Sequence, residues 1–132
     1  MGLSDRDVTW DRSRQAGPDI WVAVLWGALV TICWAPVAAG LVASVYRFPI
    51  PFDGYARGVG DALNAALASV FYLVVGGVFP LALAGALAGF LHARGAVRGS
   101  ARCLTLIAAT GFATACAAAL LLALLEYAIG PW

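Results

Sequence analysis

The sequence predicts an all-α integral membrane protein, a bundle of three transmembrane helices. Two observations carry that prediction. Of its 132 residues, 63% are hydrophobic and 11% charged, with a mean hydropathy of +0.90, whereas soluble domains carry about 25% charged residues. The charges also avoid three long stretches: none lies from Ile20 to Tyr46 or from Cys103 to Leu125, and from Ala62 to Ala93 there is only the neutral His92. These stretches are 27, 32 and 23 residues long. A water-soluble fold of this size has no interior large enough to hide all three.

Residues 1–19 form a polar tail. Ser4 with Asp7 three positions on is a helix-start pattern, and predicts a short surface helix carrying Trp10. Gly17-Pro18-Asp19 then introduces the first span, residues 20–46, with Pro18 placed where a helix start tolerates proline. Crossing the ~30 Å hydrocarbon core takes about 20 apolar residues. The second span, residues 62–93, is longer than that, and at ~1.5 Å per residue it must tilt, bend or project into the interface. Pro36 and Pro80 lie inside the first and second spans, and each removes a backbone donor and crowds the preceding turn, so a kink is expected at both. The third span, residues 103–129, stops at Gly130-Pro131.

Arginine placement orients the bundle. The tail and the basic loop at residues 94–102 carry three arginines each, the loop at residues 47–61 carries two, and the C-terminus none. The side richer in basic residues faces the cytoplasm, which predicts the N-terminus inside and the C-terminus outside. All eight basic residues are arginine, as a GC-rich genome favours, and the expected location is the bacterial cytoplasmic (inner) membrane, with several passes. The absence of lysine excludes Schiff-base cofactors and a phosphate-loop lysine. Three scattered cysteines without a C-x-x-C pair indicate neither a disulfide framework nor a redox motif. Net charge near +1 gives no basis for nucleic-acid binding.

Small residues mark the expected helix contacts, because close backbone approach drives association in lipid. Span one has a four-residue ladder of Gly27, Thr31, Ala35, Ala39 and Ala43. Span two offers Gly77, Gly85 and Gly89, and span three a stripe of Ala109, Ala113 and Ala117 among several. Trp34 lies mid-span beside Pro36, whose freed carbonyl is a candidate acceptor for the indole N–H. In the loop Arg47–Tyr55, alternating prolines impose an extended backbone, and Phe48, Ile50, Phe52 and Tyr55 are too apolar for free solvation. They are expected to contact a partner subunit or the lipid interface. Arg57, Asp61, Asn64 and Glu126 make an expected polar cluster at the outer end, read either as interfacial pairs with Arg57 or Arg47, or as the mouth of a cation site.

At the other end, His92, Arg94 and Arg98 are candidate cofactor-binding residues. The stretch His92-Ala93-Arg94-Gly95-Ala96-Val97-Arg98, on a three-helix chain, resembles the membrane anchors of the succinate dehydrogenase and fumarate reductase family. The resemblance spans seven residues and the helix count. It lacks that family's further histidine and the serine–arginine quinone motif in span one. What it implies is haem or quinone held by His92 with arginine beside it. Without that resemblance, a snorkelling histidine beside a lipid-facing basic loop is the reading.

Three functions remain open on this sequence. The first is a non-catalytic, cofactor-free subunit that stabilises a larger membrane complex by packing against it, with other membrane subunits and lipid as its contacts. The second is a haem- or quinone-binding anchor of a respiratory electron-transfer complex. The third is a small homo-oligomeric channel or transporter. Since no charge lies in mid-span, a self-contained proton pump is disfavoured.

Overall fold

A computed structural model of the chain describes residues 18–95 and 100–130. It is mostly helical, with three helical segments long and apolar enough to cross a membrane: Ile20–Val45, Val59–Arg94 and Ala101–Ile129. The expected tail helix around Ser4 and Asp7 lies outside the described residues, as does Arg98.

Helix α1 spans Ile20–Val45 and remains helical through Pro36. A short antiparallel hairpin follows, β1 at Phe48–Ile50 and β2 at Gly54–Ala56, in the register Phe48 with Ala56, Pro49 with Tyr55 and Ile50 with Gly54. The fold is therefore not purely helical. A single 3-10 turn, Val59–Asp61, leads into α2 at Ala62–Tyr72. A π-turn at Leu73–Gly77 joins α2 to α3 at Val78–Arg94. Helix α4 is Ser100–Ile129.

The irregularity in span two lies at Gly76, four residues before Pro80, and not at the proline itself. In an unbroken helix the N–H of residue 80 would bond the carbonyl of residue 76. Proline has no such N–H, and its ring collides with that carbonyl. Gly76 yields by adopting φ +140°, a backbone region that L side chains rarely enter. The N–H of Val78 reaches back to the Leu73 carbonyl, the five-residue step of a π-turn.

Helix α1 is the hub and packs against α2, α3 and α4. Its buried side runs Ala23, Gly27, Thr31, Ala35, Ala39 and Ala43, every fourth residue. Four residues turn a helix by about 400°, so such a row drifts about 40° per step and winds around the axis. One row can thus serve several partners. Its first half meets α3, while farther along Gly40 lies against the Ala62 carbonyl at the head of α2. Helix α4 presents a matching row of Cys103, Ile107, Gly111, Ala115, Ala119 and Ala123. Ala109, Ala113 and Ala117, the stripe singled out from the sequence, are exposed instead. Helix α4 is small almost all round, so composition alone does not reveal which face meets α1.

In the half of the bundle nearest the hairpin, α2 and α4 scarcely touch, and β1 sits between them, in contact with both. Phe48 is 1% exposed and belongs to the core with Ala38, Ala39, Ala65 and Ala119. The hairpin is thus a wedge that completes the bundle, held also by the Gly58 N–H donating to the Ala43 carbonyl at 2.8 Å.

Candidate functional site

Among the described residues, three places bring polar side chains or close backbone approaches together: the helix crossing, the hairpin end and the arginine end.

At the crossing, Gly27 and Gly85 are so close that a Cβ on either would collide with the backbone carbonyl of the other, and a Cβ on Gly89 would strike the Ala23 carbonyl. Thr31 is fully buried and donates its hydroxyl hydrogen to the Gly27 carbonyl at 2.7 Å. The same oxygen fills the space beside two further glycines: a Cβ would lie 2.5 Å from it on Gly85 and 2.7 Å on Gly111. Thr31 is therefore the point where α1, α3 and α4 meet. Its hydroxyl is satisfied within its own helix, which removes the cost of burying it among apolar neighbours. Ala35 and Ala39 continue this buried row. Gly77, grouped with the packing glycines from the sequence, plays a different part. It is half-buried, and the atom nearest its absent side chain is the Tyr72 carbonyl of its own π-turn, 2.8 Å away. Trp34 packs edge-on against Phe112, with ring centroids 5.0 Å apart, and among the described residues its indole makes no hydrogen bond.

At the hairpin end, Arg47 reaches Glu126 of α4 with Nη2 to Oε2 at 3.5 Å. Glu126 is 5% exposed. The Arg47 guanidinium also lies 4.9 Å from the ring centre of Tyr127, 5.3 Å from Tyr55 and 5.7 Å from Tyr46, within the ~6 Å range of cation–π attraction. These rings keep water from part of the ion pair, and a pair in lower dielectric gains more from Coulomb attraction than one in water. Arg47 Nε, Glu126 Oε2 and Tyr72 Oη are buried without a hydrogen-bond partner. Asp61 makes a separate group: it accepts from the Arg57 backbone N–H at 3.3 Å and from Asn64 Nδ2 at 3.5 Å, fixing the turn into α2. The four outer polar residues thus divide. Arg57, Asp61 and Asn64 organise a turn, while Glu126 pairs with Arg47, one of the two arginines the sequence offered as its partner.

The four apolar loop residues divide likewise. Phe48 is buried inside the bundle and cannot meet a partner, and Ile50 is half-buried. Phe52 is 91% exposed, and Tyr55 is exposed beside Arg47.

At the arginine end, His92 lies in the last turn of α3. Its Nδ1 is 2.8 Å from the Ala88 carbonyl, which can only accept, so Nδ1 carries a hydrogen. Its Nε2 lies 3.4 Å from Thr110 Oγ1 on α4, and that hydroxyl donates to the Leu106 carbonyl at 2.8 Å. Both ring nitrogens thus lie near protein oxygen atoms, Nδ1 of its own helix and Nε2 of α4. Arg94 folds back over the Phe90 ring, 4.4 Å from its centre. Among the described residues, no group of three or more His, Cys, Asp or Glu side chains is placed to hold a metal.

In comparisons with known proteins, no family model matches the chain, and neither a curated protein nor a solved structure matches it.

Proposed function

We propose that this chain is a non-catalytic integral subunit that packs against a larger membrane protein complex and stabilises it. The observation that supports this reading is the backbone break at Gly76. Lipid supplies no hydrogen bonds, so backbone that leaves the regular helix at membrane depth is re-paired by a local π-turn, as the Val78 N–H is here, or is covered by protein or water. Gly76 lies near the middle of a 36-residue span, its missing side chain points into open space, and Val74, Val75 and Phe79 around it are exposed. A transmembrane segment of another polypeptide against this face would cover the break. The tight Gly27–Thr31–Gly85–Gly111 junction adds to the case, since it makes a rigid body suited to docking.

The arginine distribution supports an orientation with the 94–102 loop in the cytoplasm and the hairpin outside, in a bacterial cytoplasmic membrane. The test is purification in a gentle detergent and identification of what accompanies the chain. A second polypeptide at fixed ratio supports the proposal. A homogeneous homo-oligomer that conducts ions would replace it with a channel, and a Soret band abolished by His92→Ala would replace it with a redox anchor.

A further inference from the structure

The turn of the hairpin is built in an unfavourable way. Ile50-Pro51-Phe52-Asp53 closes with the Asp53 N–H donating to the Ile50 carbonyl at 3.3 Å. Pro51 takes the second position, which suits its fixed φ, and Phe52 takes the third with φ +67°. That third position, at positive φ, is ordinarily glycine's, and a bulky side chain there is an outlier. The ring held in this strained position is 91% exposed. An exposed aromatic ring held at such backbone strain points to a function for that ring beyond the chain's own core.

The surroundings of the ring indicate what that environment is. Phe52 meets Phe71 of α2 edge-on, with centroids 6.2 Å apart. Phe71 itself lies on the outward face of span two, with Leu67 and Val70, all exposed. Phe52 therefore extends the membrane-facing surface of span two, and does not stand off into water above it. Span two has 36 residues, which at ~1.5 Å each is longer than the ~30 Å hydrocarbon core. Its hairpin end thus passes through the interfacial layer, where aromatic rings concentrate.

We infer that Phe52 is a membrane anchor: the hairpin tip holds its ring in the lipid of the leaflet at the hairpin end, beside Phe71, while Asp53 next to it faces water. The occupant of this surface is phospholipid. This assignment concerns only the hairpin end of span two, at Phe52 and Phe71; the partner segment proposed above would cover the Gly76 region farther along, at Val74, Val75 and Phe79.

Two measurements on the full chain in its native membrane test it. A benzophenone-bearing phenylalanine analogue introduced at position 52 and photoactivated is expected to give a phospholipid adduct, read by mass spectrometry. An adduct to another protein, or no adduct, overturns the inference. Separately, a membrane-impermeant maleimide is expected to label Phe52→Cys about tenfold more slowly than Asp53→Cys in sealed vesicles exposing the hairpin side, since an apolar environment suppresses the reactive thiolate. Equal labelling rates at the two neighbouring positions would place Phe52 in water and overturn it.

Discussion

Gly27 and Gly85 face each other across the crossing of α1 and α3, each with its backbone carbonyl in the space that the other's side chain would occupy. In lipid such an approach replaces the hydrophobic drive that packs helices in water, because it maximises dispersion contacts between backbones. The closest interhelical approaches at glycines lie at this pair and its neighbours Thr31, Gly89 and Gly111.

Gly85→Ala and Gly89→Ala should each destabilise the bundle by about 1–3 kcal/mol, the usual cost of forcing a methyl into a filled site. Reversible unfolding in mixed micelles would measure it. Gly60→Ala is the control: its Cβ meets open space, and the change should stay within about 0.5 kcal/mol.

The Gly76 break and Pro80 should be energetically coupled. Gly76→Ala forces a side chain into φ +140° and should cost about 1–3 kcal/mol. Pro80→Ala restores the missing N–H and lets span two run as a regular helix. In the Pro80→Ala background, Gly76→Ala should therefore cost much less, and a double-mutant cycle reads the difference. Additive effects would show that the proline does not cause the break.

The bundle was legible in the sequence to different depths. The spans stood out because charge is excluded from the hydrocarbon. The buried row of α1 could be picked out because Gly27, Thr31, Ala35, Ala39 and Ala43 alternate with large residues such as Trp26, Leu29 and Trp34. Helix α4 lacks that contrast, so its buried row, which includes Ile107, depends on where α1 lies. The hairpin was hidden for another reason. Its turn puts phenylalanine where local preference asks for glycine, and only the surrounding contacts make up for it. Topology brought Glu126 to the same end as Arg47 and Arg57, but the pair joins residues 79 positions apart in the chain, and no local pattern chooses between the two arginines.

Breaking that pair should leave a charge stranded among tyrosine rings. Glu126→Ala should destabilise by about 2–3 kcal/mol, below the 3–5 typical of fully buried pairs because Arg47 retains some exposure. Replacing both Arg47 and Glu126 with leucine should restore much of the loss, since no charge then remains to be desolvated. Melting temperatures of the unmodified chain and the two variants in one detergent would decide it.

At the hairpin tip, Phe52→Gly relieves the positive φ whereas Phe52→Ala keeps it. Both lose the ring, so glycine should be the more stable of the two by about 1 kcal/mol. A ranking with alanine at or above glycine would show that the turn changes its backbone when the ring is removed.

The role proposed for the chain rests on its ability to hold a larger assembly together. The most direct measurement is the amount of that assembly, followed through the co-purifying polypeptide on native gels, in membranes with and without this chain. The account predicts that the intact assembly falls to a small fraction without the chain and returns when the chain is supplied again. An assembly of unchanged size and amount in its absence would contradict it.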